Sequence, residues 1–291
     1  MGKKKLNNVA SIDLKSLEIE ENEEIEVEEL TSAEEGNTNT EEKNMEEEVN
    51  LYIEEIEDEN DEEHSIPKNI FLNHKSLVGV NSKPQLKKCL ESWIQYKNPY
   101  KIHFFTDEMC NNFMKKHFSE KIYKAYCRLP TAIMKSELWR YCVIYIHGGI
   151  YTDSDAECIV TPNIFTSAKS FLVCVPDNNI HLCQWCFAAP KNSPILKSII
   201  DLSVKRILEI TEIKGEQISH YLTGPACFTT GVELYLKENN HTIYGNKLDY
   251  QKYRNNILCV FNKTNFDKLI HHHFSSVQPS GWPYERIQKL M

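Results

Sequence analysis

Two carboxylates one residue apart, Asp153 and Asp155, are the side chains of this 291-residue sequence best suited to chemistry. They follow a Gly148-Gly149 turn and a short apolar run that ends at Tyr151. Carboxylates held this close repel one another unless a cation lies between them, and hard oxygen ligands favour Mg²⁺ or Mn²⁺. Such a cation binds a diphosphate and stabilises the charge that develops as the diphosphate leaves. The motif therefore predicts a metal site for a diphosphate substrate.

The segment before the motif predicts the helix that positions it. Over residues 130–146 apolar side chains recur with a period of 3.6 residues, which is typical of a helix with one buried face. Thr131 is the expected N-cap, and Gly148 is expected to end the helix in a left-handed turn. Glu137 and Arg140 are three residues apart, so we expect them to share the polar flank of this helix.

The preceding segments predict alternating strands and helices. The apolar run 69–73 is expected to be a strand, residues 83–96 a helix and residues 100–105 a second strand, with Asp107 as the N-cap of the next helix. This alternation is the opening of an α/β domain. Later segments are expected to form strands over 171–175, 184–188 and 257–261, and helices over 193–210 and 226–237.

The whole segment before the carboxylates resembles one known family, glycosyltransferase family 32, whose signature is a DXD sugar-binding motif. The matching residues are Glu137, Leu138, Arg140, Tyr141, Gly148, Gly149, Tyr151, Asp153 and Asp155. The family usually has Asp where this chain has Glu137, which keeps the charge on a longer arm. Weaker matches extend the resemblance over residues 66–285, at Ile66-Pro67-Lys68-Asn69-Ile70, Ser92-Trp93, Asn98-Pro99, Thr223-Gly224-Pro225, His271–His273 and Trp282.

The resemblance implies a GT-A type fold, in which a central mixed sheet is flanked by helices. It also implies a metal-dependent enzyme that moves a hexose from a nucleoside-diphosphate sugar, UDP- or GDP-linked, to an acceptor hydroxyl with retention of configuration. The implied cofactor is Mn²⁺ or Mg²⁺. The acceptor would be a glycan, lipid or protein, and nucleic acid is not an expected partner.

The resemblance also implies roles for individual residues. Asp155 would ligate the metal, and Asp153 would contact the metal or the nucleotide ribose. Arg140 and Glu137 would hold hydroxyls of the donor sugar, so these four residues form the expected catalytic set. A C-terminal histidine, with His272 as the candidate metal ligand, would complete the metal shell or contact the diphosphate. The expected donor-binding residues are Asn73, His74, Gly149, Tyr151 and Trp282.

The charge distribution divides the chain near residue 65. Residues 1–65 hold 24 acidic residues against five lysines, a net charge of −19, whereas residues 66–291 have a net charge of +10. A segment so acidic and so poor in aromatic residues is expected to be disordered, and residues 66–291 are expected to be the transferase domain. The sequence contains no targeting segment and no apolar run of about 18 residues, so we expect a cytoplasmic protein without a membrane span.

Other functions fit parts of the sequence. A catalytically inactive module that binds a nucleotide sugar or a glycan would keep the same fold. A phosphatase of the Asp-x-Asp-x-Thr type would need Thr where this chain has Glu157. A nucleic-acid enzyme with two metals is suggested by the basic domain, but no companion motif accompanies it. Cys183 and Cys186 form a single CxxC, which is weak support for a zinc site.

Several candidate residues also have a purely structural interpretation. Glu137 and Arg140 would then be a surface ion pair, and the run 271–273 would be a solvated strand end. The tryptophans at 93, 139 and 185 would belong to the core rather than stack against a substrate.

Overall fold

The computed structural model describes residues 65–174, 181–215, 217–241, 257–261 and 268–273. Its centre is a six-stranded sheet with the order β2-β1-β3-β6-β5-β7, beside a two-stranded sheet of β4 and β8. The strands are β1 (Asn69–Asn73), β2 (Lys101–Phe105), β3 (Gly149–Thr152), β4 (Ala156–Cys158), β5 (Leu172–Cys174), β6 (Cys186–Ala189), β7 (Leu258–Val260) and β8 (Ile270–His272).

The described helices cover both faces of the large sheet. They are α1 (Leu77–Asn81), α2 (Pro84–Ile94), α3 (Asp107–His117), α4 (Glu120–Arg128), α5 (Ala132–His147), α6 (Asn163–Thr166), α7 (Pro194–Glu209), α8 (Ile218–Leu222) and α9 (Pro225–Glu238). Within these residues, no helix is long and apolar enough to cross a membrane. The predicted α/β class, with a central mixed sheet flanked by helices, is confirmed.

The strands bury both of their faces, because successive side chains point to opposite sides of the sheet. In β1, Phe71 belongs to one core cluster, which we call the helical core; α3, α4, α5, α7 and α9 also contribute to it. Ile70 and Leu72 belong to the second cluster, here called the hairpin core, which contains residues of α1, α2, β4 and β8. The same alternation in β3 places Ile150 and Tyr151 on opposite faces.

Strand directions decide which residues meet at one edge of the sheet. β1, β2 and β3 run parallel, whereas β6 runs antiparallel to β3, with Thr152 opposite Cys186. The carboxyl ends of β1 and β3 and the start of β6 therefore lie at the same edge. Asn73, Asp153 and Trp185 follow one another across this edge, which is where loops of an α/β sheet form ligand sites.

Helix α5 is buried on more sides than the sequence predicts. Thr131 caps its start, since its hydroxyl accepts a hydrogen bond from the Met134 N–H at 3.2 Å, and Gly148 ends it with φ of +64°. The predicted polar flank is wrong, because Glu137 and Arg140 are only 8% and 6% exposed. A helix between the sheet and α7 has little solvent to face, so its polar residues pair inside the protein.

The other boundaries agree with the sequence to within a few residues, with one capping residue misplaced. The N-cap of α3 is Thr106, whose side chain accepts from the Met109 N–H, and Asp107 is the first helical residue. Short elements such as α4, β4 and β8 were missed. The segment 1–65, predicted to be disordered, lies outside the described residues except for Ser65. Trp282 also lies outside them. The disorder of the segment and the role of Trp282 therefore stay predictions.

The second glycine of the turn before β3 has a packing role. Gly149 has φ of +117°, and a Cβ built on it would lie 2.5 Å from the Asn69 carbonyl oxygen of the neighbouring strand. Gly149 lies four residues before Asp153. At about 3.3 Å per residue of a strand, this places Gly149 at the end of β3 opposite to Asp153. The structure therefore places this expected donor-binding residue away from the carboxylates.

We predict that Gly149→Ala lowers the free energy of unfolding by more than the roughly 1–3 kcal/mol expected for the strained backbone alone. Gly215→Ala is the matched control, because Gly215 has φ of +112° but open space around its Cβ. Urea unfolding of the two variants measures the difference. Equal losses would contradict a role for the close approach to Asn69.

A buried histidine makes the fold sensitive to acid. His103 in β2 is 2% exposed, stacks on Phe71 with ring centroids 4.8 Å apart, and its Nε2 lies 3.2 Å from Asn69 Oδ1. Burial, with a smaller contribution from the charge of Lys101, lowers its pKa from 6.5 to about 4. The unfolded chain therefore binds this proton first as the pH falls below 6.5, and the stability that depends on neutral His103 is lost towards pH 4.

We predict that His103→Gln is less stable than the wild type at pH 7 but loses less of its stability between pH 6.5 and 4.5. One such group changes the free energy of unfolding by up to about 1.4 kcal/mol per pH unit. Thermal or urea unfolding at several pH values checks this. Parallel pH profiles for the two proteins would show that His103 is not the group responsible.

Candidate active site

Asp153, Asp155 and His272 form a compact group at the sheet edge. One ligand atom from each, two carboxylate oxygens and a ring nitrogen, lies within 4.8 Å of the others. His272 Nε2 is 3.1 Å from Asp155 Oδ1 and 3.5 Å from Asp153 Oδ2. The structure thus brings together the three residues that the sequence proposed as metal ligands.

The small sheet carries His272 to the carboxylates. β4 and β8 pair antiparallel, with Ala156 opposite His272 and Glu157 opposite His271, and the His273 N–H donates to the Asp155 carbonyl at 3.0 Å. His272 and His273 point to opposite faces, as neighbours in a strand do. His272 therefore faces Asp153, so the run of histidines is not simply a solvated strand end.

The opposite face of β8 is braced by an ion-pair network. His273 Nε2 lies 2.9 Å from Glu157 Oε2, and Lys88 Nζ of α2 lies 2.8 Å from Glu157 Oε1. A hydrogen bond from Lys88, the largest cause, and one from His273 lower the pKa of Glu157. The network ties β4, β8 and α2 together behind His272.

The two oxygens of Asp153 face different partners. Oδ1 accepts a hydrogen bond from the Tyr151 hydroxyl at 2.5 Å and lies 3.2 Å from Arg140 Nη2. Oδ2 faces His272. The buried partners therefore fix the plane of the carboxylate, and one oxygen is left pointing towards the candidate metal position.

Arg140 is a buried cation with several partners. Its Nη1 donates to the Gln184 carbonyl at 2.9 Å, its Nε donates to the Ser136 carbonyl at 3.4 Å, and its guanidinium lies 4.5 Å from the centroid of the Tyr151 ring. Burial would lower its pKa, but nearby groups, Asp153 first, raise the pKa above its ordinary value. Arg140 therefore remains charged and holds Asp153 rather than forming a surface pair with Glu137.

Tyr151 has a supporting role in this arrangement. Its side chain is fully buried, and burial raises its pKa well above 10. The hydroxyl stays protonated for this reason and serves as a donor to Asp153. It also lies 3.1 Å from Asn73 Oδ1, which accepts from the Ser136 hydroxyl at 2.9 Å.

The donor set fits a divalent cation. Neighbouring ligands of an octahedral ion bound at 2.0–2.1 Å lie about 3 Å apart, close to the 3.1 and 3.5 Å separations around His272 Nε2. Burial would lower the pKa of His272, but hydrogen bonds that it donates to Asp153 and Asp155 raise it to about 9. The pocket thus favours a positive charge between the carboxylates, which a divalent cation also supplies.

Glu137 is held by groups from distant parts of the chain. Its Oε2 accepts from the hydroxyls of Thr223 at 2.6 Å and Ser219 at 3.0 Å, and its Oε1 accepts from Gln184 Nε2 at 3.2 Å. Gly224 allows this close packing, since a Cβ there would lie 3.3 Å from Oε1. Burial raises the pKa of Glu137, and the nearby charge of Arg140 lowers it in part.

Two expected donor-binding residues lie at the end of β1. Asn73 contacts Tyr151 and Ser136, which places its side chain one strand away from Asp153. His74 is half-buried, and its Nδ1 lies 3.0 Å from the Ser76 carbonyl oxygen at the start of α1. Both are positioned at the sheet edge, and their contact with a nucleotide stays a prediction.

Gln184 and Trp185 are site residues that the sequence analysis did not select. Gln184 joins the two buried charges, because its amide donates to Glu137 and its carbonyl accepts from Arg140. The Trp185 carbonyl accepts from the Asp153 N–H at 2.8 Å, and its ring lies 4.7 Å from that of His272. Only the pairing of β6 with β3, which the structure shows, brings these two residues to the site.

The remaining candidates are structural. Trp93 and Trp139 are fully buried, as the core interpretation predicts. Cys183 and Cys186 are buried thiols of the hairpin core. Within the part of the chain that the structure describes, the aspartate–histidine group is the only one with three side chains placed to hold a metal.

Comparison with known proteins indicates the same class of protein as the sequence resemblance. Residues 83–172 match the family model described as "Glycosyltransferase sugar-binding region containing DXD motif". The matched segment contains Asp153 and Asp155, and the match supports a family like glycosyltransferase family 32.

The curated proteins and solved structures that are similar to this chain include the following three. The "Initiation-specific alpha-1,6-mannosyltransferase" of Candida albicans is 28% identical over 60% of this chain and 54% of its own length. An uncharacterised glycosyltransferase of Acanthamoeba polyphaga mimivirus is 23% identical over 56% of this chain and 64% of its own. The chain thus spans less than two thirds of either relative. The structure titled "PaToxG Glycosyltransferase" is 17% identical, with a TM-score of 0.43, over 60% of this chain and 71% of that one.

We predict that Gln184→Leu lowers the free energy of unfolding by about 1–3 kcal/mol, because a buried carboxylate oxygen of Glu137 loses its donor. The pKa of Glu137, already raised by burial, rises further, so protonation relieves the loss in acid and the destabilisation is larger at pH 8 than at pH 5. Urea unfolding at both pH values measures this.

Gln95→Leu is the control for this variant, because Gln95 is exposed and its amide donates to the Ser92 carbonyl. It should change the stability by no more than about 0.5 kcal/mol. If the two variants behave alike at both pH values, Gln184 does not support Glu137.

Proposed function

We propose that this protein is a metal-dependent glycosyltransferase, which moves a hexose from a nucleoside-diphosphate sugar to an acceptor hydroxyl. One observation carries the proposal, the group of Asp153, Asp155 and His272 with its ligand atoms within 4.8 Å at the carboxyl edge of the sheet. The match of residues 83–172 to a glycosyltransferase family model supports the same activity. Mn²⁺ or Mg²⁺ is the proposed ion, since two of the three ligands are carboxylates.

In this proposal the protein residues bind and orient the reactants. Asp155, Asp153 and His272 would hold the ion, which would stabilise the charge that develops on the departing diphosphate. Arg140 and Tyr151 hold Asp153 in its orientation by bonds to Oδ1. During transfer the bond from the anomeric carbon to the diphosphate breaks, and a bond from that carbon to the acceptor oxygen forms as the acceptor hydroxyl loses its proton.

The arrangement of the sheet edge suggests where the donor lies. Asn73 is the last residue of β1 and His74 follows it, one strand away from Asp153, and we assign the nucleotide to this side. Arg140 and Glu137 lie on the helical-core face, and we assign the transferred sugar to their side of Asp153. Of the expected donor residues, Gly149 fits this assignment least, because it lies at the far end of β3.

Mannose is the first sugar to test, because the relative from Candida albicans is named a mannosyltransferase. A GDP-linked or UDP-linked hexose remains the donor class that we propose, and the acceptor is a glycan, lipid or protein hydroxyl. Retention of configuration follows from the family resemblance, and the anomeric signals of the product in an NMR spectrum would test it. The cytoplasmic location and the division at residue 65 also stay proposals.

We predict that GDP or UDP raises the melting temperature of the full-length protein only when Mn²⁺ or Mg²⁺ is present. A ligand at one hundred times its Kd stabilises the native state by about 2.7 kcal/mol. Asp155→Asn should abolish this shift. It should also lower the rate at which GDP or UDP is released from GDP-mannose or a UDP-hexose by about a hundredfold or more, since the ion contributes several kcal/mol.

Asp201→Asn is the matched control, because Asp201 pairs with Lys197 on the partly exposed surface of α7. Its metal-dependent shift and its rate should equal those of the wild type. A metal-dependent nucleotide shift without turnover of any donor would favour an inactive nucleotide-sugar-binding module. The absence of a shift with either nucleotide from a folded sample would contradict the site itself.

A further inference from the structure

Trp185 differs from the other tryptophans that the structure describes. Trp93 and Trp139 are fully buried, and the Trp93 indole N–H donates to the Ala156 carbonyl at 2.8 Å. Trp185 keeps part of its surface accessible and packs against the hairpin core. An aromatic ring that is partly exposed beside a polar site has an apolar face available to a ligand.

The backbone and the neighbouring ring hold Trp185 in place beside the group of Asp153, Asp155 and His272. Its carbonyl accepts from the Asp153 N–H at 2.8 Å, which continues the pairing of β3 with β6. Its ring centroid lies 4.7 Å from that of His272, with the ring planes 48° apart. The indole therefore borders His272, and the Trp185 backbone is bonded to that of Asp153.

The sheet order places Trp185 on the side of Asp153 opposite the proposed nucleotide. β1 lies beside one edge of β3 and β6 beside the other, so Asn73 and Trp185 are separated by two strand spacings, or about 10 Å. A nucleobase at the end of β1 would therefore lie on the side of Asp153 away from Trp185. The Trp185 ring is therefore available to the acceptor or to a part of the donor other than the nucleobase.

The two faces of the sheet separate Trp185 from the residues assigned to the donor sugar. Arg140 and Glu137 belong to α5, which packs on the helical-core face. Trp185 packs with the hairpin core, which also contains Ala156 of β4 and Ile270 of β8. An acceptor must approach the anomeric carbon from a direction that the donor sugar and nucleotide leave open, and the Trp185 side is such a direction.

We propose that Trp185 is the binding platform for the acceptor and that the acceptor group is a hexopyranose ring. The C–H face of a pyranose packs on an aromatic ring, and its hydroxyls stay free to reach the reaction centre and water. This assignment deepens the proposed transferase function and rests on it. Trp185 determines acceptor affinity and not the chemistry of the donor.

The first test is binding, measured by tryptophan fluorescence of the full-length protein. Methyl α-mannopyranoside, methyl α-glucopyranoside and methyl β-galactopyranoside are titrated in the presence of Mn²⁺ and GDP or UDP. At least one hexoside should change the emission in a saturable way, and the change should be absent in Trp185→Phe because the reporter is gone. If no hexoside changes the emission of Trp185, the platform is contradicted, whether or not a donor is turned over.

The second test is the ratio of transfer to the hexoside over hydrolysis of the donor by water. Aromatic stacking contributes about 0.5–1.5 kcal/mol beyond buried area, so this ratio should fall about tenfold in Trp185→Ala, mainly through the acceptor KM. Trp185→Phe should keep the ratio within about threefold, because the ring face remains. Tyr221→Ala, which removes an exposed ring stacked on Arg206, should leave the ratio unchanged.

The outcomes separate this proposal from the transferase function. An unchanged ratio in Trp185→Ala, or hydrolysis of the donor by the wild type without transfer to any hexoside, overturns the acceptor platform while the transferase function stands. A wild type that neither hydrolyses a donor nor binds nucleotide with metal contradicts the transferase function instead. If Trp185→Ala does not fold, the fluorescence titration of the wild type and of Trp185→Phe still tests the acceptor platform.

Discussion

The fixed orientation of the Asp153 carboxylate is the constraint on which the rest of the site depends. A guanidinium as buried as that of Arg140 is tolerated only when it is paired and hydrogen-bonded, and Asp153 Oδ1 lies 3.2 Å from it. Tyr151 donates to the same oxygen. Because Oδ1 is occupied from the helical-core face, Oδ2 points to the hairpin-core face, where His272 arrives on β8. The group of Asp153, Asp155 and His272 therefore forms where the helical core and the hairpin core meet.

The local parts of this arrangement follow from sequence patterns, whereas the distant parts do not. The 3.6-residue period over 130–146 predicts α5, and the two glycines after it predict the abrupt start of β3, so Asp153 is correctly placed at a strand end. His272 comes from a three-residue strand whose position depends on pairing with β4, far away in the chain. A run of histidines carries no periodic signal, and only the resemblance to a family selected His272 beforehand.

Buried polar residues explain the main error of the sequence analysis. Hydrophobic periodicity assumes that a charged side chain marks a solvent-facing flank, and by that rule Glu137 and Arg140 were expected at the surface. Their burial depends on partners that the period cannot show, such as Thr223 and the carbonyl of Gln184. Gln184 was missed for the same reason, since an amide before a short strand gives no local sign of linking two buried charges.

The hydrogen bonds of Glu137 limit what this carboxylate can do for a donor sugar. A carboxylate offers about four acceptor positions, and Thr223, Ser219 and Gln184 occupy three of them. One position at most remains for a sugar hydroxyl. The longer arm of Glu, compared with the Asp that the family usually has, leaves the carboxylate bound at the junction of α8 and α9. Glu137 thus connects this junction to Gln184, and through it to the Trp185 main chain that holds Asp153.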